Sequence, residues 1–213
     1  MKSIVFALAS ALLAVTTVSA EEVSENYDFE GFDKIEIAGV YDLDVAVGDD
    51  FSILLSGPEV EMNRVEVSLD GDTLVLDQRK RKRGEKKRNN REGIDAVITL
   101  PALNGLSVSG VVDADIDGVD SDTLQLSLSG VGDVDIEGKC GRLKARVSGV
   151  GEFDGEALEC ADVTVSVSGV GDATVFANES VDATVSGIGS ITVYGSPENV
   201  ETSDGLFSNI DIK

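Results

Sequence analysis

The pair Ser-Gly begins at Ser109, Ser129, Ser148, Ser168 and Ser186, in steps of 20, 19, 20 and 18 residues, and similar residues surround every copy. Self-similarity at such a period marks a repeat architecture, in which one unit cannot bury its apolar face alone and stacked units share a core. Aligned on the Ser, the columns are plain. Leu106, Leu126, Ala145, Val165 and Ala183 stand three places before it, and Val108, Leu128, Val147, Val167 and Val185 one place before. Val111, Val131, Val150, Val170 and Ile188 stand two places after it, and Ala114, Val134, Phe153, Ala173 and Ile191 five places after.

Within a copy the apolar residues alternate, which is the period of a strand. The alternation reads as slipping phase at the Ser-Gly pair and again at the following Gly (Gly132, Gly151, Gly171 and Gly189). Glycine at such a place lets a chain turn a corner while its apolar side chains, the Val111 column included, point inward. Strands with corners at a fixed repeat predict an all-β parallel β-helix of 18–20-residue coils. An earlier copy, "IEIAGVYDLDV" from Ile35, matches with Ala38-Gly39 in place of Ser-Gly. Between it and Leu106, "RVEVSLDGDTLVLDQ" places Asp70-Gly71 between two alternating runs and predicts an inserted β-hairpin. The expected division is residues 27–104 for a first coil with its insertion and 105–213 for the repeat coils, in one domain spanning 21–213.

Residues 1–20 read as a secretory signal: Lys2, an apolar run from Ile4 to Val15, then Val18-Ser19-Ala20 before two acids. Cleavage after Ala20 and a secreted or periplasmic location are expected, with no membrane-crossing segment after cleavage. Cys140 and Cys160 lie one repeat apart, so stacking would bring their Cα atoms near the 4.7–4.9 Å strand spacing, which suits a disulfide. A disulfide is expected in an oxidising compartment; a pair of free buried thiols is the alternative.

The chain holds 17 Lys and Arg against 40 Asp and Glu, a net charge of −23, and no His. Missing His removes the commonest general base and transition-metal ligand. Nine of the bases fall in one run: Arg79, Lys80, Arg81, Lys82, Arg83, Lys86, Lys87, Arg88 and Arg91. The acidic remainder would repel nucleic acid, and the run lacks interleaved aromatics, so no nucleic-acid partner is expected. The run is read as a cationic loop for anionic envelope polymers, or as a hairpin tip folding back on the acidic body. Lys139, Arg142, Lys144 and Arg146 cluster near Cys140 and are expected to pair with neighbouring acids. Four places after each Ser come Asp113, Asp133, Glu152, Asp172 and Ser190, and two further on Asp115, Asp135, Asp154, Thr174 and Thr192. Stacking would set these in two outward columns. Solvated acids need no cofactor, and none is required here; Ca²⁺ is the hard cation such columns would suit as a metal site.

On these motifs the chain resembles the bacterial family described as auto-transporter adhesin, head GIN domain. The resemblance rests on the opening "GFDKIEIAGVYDLDVAVGDDFSILLSG", on "NRVEVSLDGDTLVLDQ" and "VITLPALNGLSVSG", and on the copies through "GIGSITVYGSPENV". It implies a secreted β-helix with no established catalytic residues, so none is carried over. The function expected is a non-enzymatic adhesin-like or structural envelope module, binding a cell-envelope or extracellular polymer or associating with itself. The alternative is a lyase-like β-helix enzyme acting on polysaccharide through a carboxylate-bound cation, disfavoured because coils this short leave no cleft walls.

Overall fold

The computed structural model describes residues 22–82 and 93–213, and the stretch read as a signal sequence lies outside them. The chain forms β1 (Glu22–Asn26), β2 (Lys34–Ala38), β3 (Val40–Val47), β4 (Ser52–Pro58), α1 (Glu59–Met62), β5 (Val65–Asp70), β6 (Thr73–Gln78), β7 (Ile94–Leu100) and β8 (Gly105–Val108). It continues as β9 (Val111–Leu128), β10 (Val131–Val147), β11 (Val150–Val167), β12 (Val170–Val185), β13 (Gly189–Gly195), β14 (Asn199–Ser203) and β15 (Ser208–Ile212). β9 through β12 each make one full coil, stacked in parallel and in register on its neighbours, as the repeat predicts. β3 lies on the first part of β9, and β2 joins the last part through β8. The fold is a β-solenoid.

Two regular walls carry the register. In the first, Val111–Asp115 align with Val131–Asp135, Val150–Asp154 and Val170–Thr174; in the second, Gln125–Leu128 align with Lys144–Val147, Thr164–Val167 and Asp182–Val185. The register shifts all fall in the short segment between these walls, around Gly138 and Gly155–Asp162. The unequal coil lengths are absorbed there, so the two long walls keep inside residues inside. That segment also holds the disulfide: Cys140 and Cys160 are register partners with Cα atoms 4.5 Å apart.

The core is the stack of predicted inward columns, buried from Leu106 and Val108 to Val185 and Val193. One irregularity is compensated locally. Phe153 occupies a column otherwise filled by the aliphatic Leu43, Ala114, Val134, Ala173 and Ile191. Gly155, two residues on in the same coil, leaves room for its ring: a Cβ there would lie 3.0 Å from Phe153 Cζ.

One column is corrected. Val111, Val131, Val150, Val170 and Ile188, expected inside, are 47–56 % exposed, and Val40 continues the row in the first copy. The alternation does not slip at the corner but runs straight through it. In the coil that turns at Ser129, Leu128 is inward, Ser129 and Val131 face out, and Gly130 and Gly132 fall on the inner side between them. No side chain fits at those glycines, because consecutive coils approach backbone to backbone. The Ser129 N–H donates to the Val108 carbonyl at 2.8 Å and the Val150 N–H to the Gly130 carbonyl at 3.0 Å, a pattern repeated at every corner. A Cβ on Gly149 would sit 1.8 Å from the Gly130 oxygen.

The insertion builds the other end. β5 and β6 form the predicted hairpin, closing at Asp70 opposite Thr73, and β6 adds in parallel to β2. β7 adds in parallel to β3, after which β4 and β1 pair antiparallel and cover that edge. At the far end β15 pairs with β13, and Leu206 and Phe207 stand 96 % and 76 % exposed beside it.

Gly149→Ala is expected to cost about 1–3 kcal/mol, as overpacking does. Ser148→Ala, which loses only a hydroxyl contact of 3.5 Å to the Leu128 carbonyl, is expected to cost less than about 1 kcal/mol. Urea unfolding of the two variants checks the order; equal stabilities would contradict the corner contact.

Candidate functional site

Outward side chains repeat as regularly as inward ones, so each wall presents its own chemistry. On the first wall Asp113, Asp133, Glu152 and Asp172 are successive register partners, as are Asp115, Asp135 and Asp154. The early copy extends both columns through Asp42 and Asp44, which its alignment with the Ser-Gly repeats places at the same offsets. Asp95 joins beside Asp42 from β7; the insertion separates it from the repeat and hides its register in the sequence.

Several of these carboxylates are occupied by the fold itself. Asp133 Oδ1 accepts the Glu152 N–H at 3.0 Å, and Asp172 Oδ1 accepts the Ser190 N–H at 2.8 Å and its hydroxyl at 2.6 Å. Each ties one coil to the next immediately after the corner. Among the described residues no three carboxylates converge as a metal-holding group. The stack instead leaves like charges facing one another. Partial burial, then the neighbours Asp95, Asp113 and Asp44, push Asp42 above the usual carboxylate range. Burial, then Asp154 and Asp115, does the same to Asp135, and burial, then Asp133 and Asp154, to Glu152.

The basic run begins at the end of β6. Arg81 pairs with Glu61 of α1, which also holds Arg64 at 2.5 Å, and Arg64 Nε donates to the Arg79 carbonyl at 2.9 Å. The start of the run is thereby fastened to the protein's own acid. Lys80 lies at the end of the half-exposed valine row, near Arg64 and Gln78. Arg79 and Lys82 are also described, while Arg83, Lys86, Lys87, Arg88 and Arg91 lie outside the described residues.

The four bases of β10 divide. Lys139 reaches Asp120 at 3.1 Å and Arg142 reaches Asp162 at 3.7 Å, as expected. Lys144 and Arg146 do not: neither has an ion pair among the described residues. Their register partners are Gln125 and Thr164, and Ser127 and Ser166, all uncharged. The expected pairing fails because only register decides which acids a strand residue meets, and here it supplies none.

Raised carboxylates bind the proton more tightly folded than unfolded. Asp42, Asp135 and Glu152 therefore subtract stability as pH rises through and above the ordinary carboxylate value of roughly 4. The melting temperature at about pH 5 is expected to exceed that at about pH 7, and Asp135→Asn should raise the value at pH 7 and flatten the dependence. Scanning calorimetry across pH checks both; a variant less stable than the parent at pH 7 would contradict the repulsion.

Three comparisons bear on this architecture. A crystal structure titled a putative adhesin, from Bacteroides fragilis, superposes with a TM-score of 0.76 at 29% identity, covering 92% of this chain and 98% of that one. A putative lipid binding protein from Parabacteroides distasonis, at 17% identity and TM-score 0.53, covers 90% of this chain and 97% of its own. A putative adhesin from Parabacteroides merdae, at 14% identity and TM-score 0.51, covers 91% and 96%; these last two share the fold alone. No curated protein matches the chain. The family described as "Putative auto-transporter adhesin, head GIN domain" matches residues 31–197, and the chain belongs to that family.

Proposed function

We propose that the protein is a non-catalytic binding module of the cell envelope, secreted or periplasmic, that engages a polymer by broad contact along its walls. The observation that carries this reading is the in-register repetition of outward side chains over successive coils. Like groups recur at the strand spacing of roughly 4.7–4.9 Å, which suits a repeating partner better than a single small molecule. The adhesin-named family and the Cys140–Cys160 disulfide support an oxidising, extracytoplasmic compartment. Among the described residues no helix is long and apolar enough to cross a membrane. The lyase-like alternative needs carboxylates and a base acting on one bond. The acid columns and the bases Lys144 and Arg146, which have no ion pair among the described residues, occupy different walls, which argues against it. Ca²⁺ at the acid column of Asp113, Asp133, Glu152 and Asp172 is a finer proposal, in which neighbouring carboxylates share the ion with an anionic polymer, since among the described residues no three of them converge on one point.

Retention of the mature protein on whole cells, measured across ionic strength, tests the module. Binding is expected to fall steeply between about 50 and 500 mM salt, since exposed charges are screened over that range. Deleting Arg79–Arg91 should lower it several-fold. Retention no greater than that of an unrelated acidic protein of similar size would overturn the reading.

Self-association is favoured by one separate observation, the β15 edge with Leu206 and Phe207 beside it. Unpaired strand edges with exposed apolar side chains template further strands. Sedimentation is expected to show a dimer that Phe207→Ser weakens; a monomer at about 100 μM, a concentration where even weak pairing of roughly −6 kcal/mol registers, would dismiss it.

A further inference from the structure

Seven Lys and Arg lie among the described residues outside the basic run, against a body dense in acids. Three of them, Lys34, Lys144 and Arg146, line one recess of about 280 Å³ on the second regular wall. Its floor is made by Gly105. Register runs Lys34, Gly105, Gln125, Lys144 along one outward column and Glu36, Ser107, Ser127, Arg146 along the next. Gly105 carries no side chain between Lys34 and Gln125, so the wall is notched there, and the long flanking side chains leave that glycine buried. Lys34 is partly engaged, donating to Asp72 Oδ2 at 2.6 Å from the rim. Lys144 and Arg146 have no ion pair among the described residues, their register partners being uncharged.

We propose that this recess binds the anionic group of a saccharide unit, a carboxylate or a phosphate, as a component of a polymer lying along the wall. The inference rests on the binding-module reading and names its ligand class. Lys144 and Arg146 supply the charge, Arg146 through a planar fork matched to either anion. The Ser107 and Ser127 hydroxyls, one coil apart, and the Gln125 amide, two residues before Ser127 on the same strand, bond the sugar hydroxyls, and Glu36 accepts from one at the far side. The lining contains no aromatic ring, so a neutral sugar finds no stacking platform and charge must carry the affinity. A bare ion would leave most of these donors unused. At about 280 Å³ the recess lies at the lower edge of the roughly 300–1,000 Å³ range of small-molecule sites, which gives room for one saccharide unit with its anionic group. The surrounding negative body repels anions elsewhere, and so concentrates them on this notch and the basic run.

Calorimetric titration of the mature chain at low ionic strength tests it, with trigalacturonate, mannose 6-phosphate, maltotriose and inorganic phosphate as probes. At least one anionic saccharide is expected to bind, with the stronger of the two identifying carboxylate or phosphate as the source; maltotriose should give no heat. The K144Q/R146Q double variant should bind at least ~10-fold more weakly, the loss of one or two charge-assisted hydrogen bonds. Its melting temperature should be unchanged, since both side chains are exposed and make no ion pair among the described residues, while K139Q, which alters an exposed base outside the recess, should leave saccharide affinity intact. Absence of binding by both anionic saccharides, equal affinity in the double variant, equal binding of maltotriose, or inorganic phosphate binding as tightly as its sugar ester would each overturn the proposal. Intact saccharide binding without cell retention would instead remove the envelope reading and leave the recess standing.

Discussion

Everything in this molecule depends on a backbone contact at one corner. After each Ser-Gly pair the chain passes so close to the coil before it that the N–H of the next residue reaches the preceding glycine's carbonyl at about hydrogen-bond distance, 2.7–3.0 Å from Val111 to Ile188. Glycine is required there for lack of space, with Cβ positions 1.8–2.0 Å from the neighbouring oxygen at Gly110, Gly130, Gly149, Gly169 and Gly187. That contact sets the register of the walls on either side. Register in turn decides which side chains are core, which form outward columns, and that Cys140 meets Cys160.

Departures from regularity are handled where they do least harm. Coil length varies by up to two residues, and the variation is confined to the segment between the two long walls. A slip in a wall would turn its apolar face to solvent, whereas the intervening segment takes up the register shifts and is tied between β10 and β11 by the disulfide. Phe153 and Gly155 exchange volume within one coil, so the core keeps its density without displacing a neighbour. The strand edge under the first coil is covered by antiparallel strands drawn from the insertion and from β1.

The same register separates the outward chemistry by wall. Acids accumulate on the first, where they repel one another and yet return something to the fold by accepting backbone N–H groups from the next coil. Uncharged polar residues are the register partners of Lys144 and Arg146 on the second, so neither cation makes an ion pair among the described residues of a strongly acidic protein. A surface sorted in this way discriminates partners by face rather than by cleft, as expected of a binding module built from stacked rungs.

The repeat spacing, the alternation within it and the single pair of cysteines determined the solenoid, its core columns, its acid columns and the disulfide. Each follows from residues at equal offsets lying over one another, and that is legible in a linear chain. The hairpin was equally legible, because Asp70-Gly71 is a local turn signal. The tertiary structure alone decided what depends on how closely coils approach and on which strand lies beside which. The Val111 row faces outward because alternation runs unbroken through the corner, with Gly110, Gly130 and their counterparts taking the inner place where the coils approach too closely for a side chain, and that coil-to-coil distance is not visible in the sequence. Asp95 enters the acid column, and Lys144 and Arg146 form no ion pair among the described residues, because pairing across the insertion and between coils is a non-local choice of register.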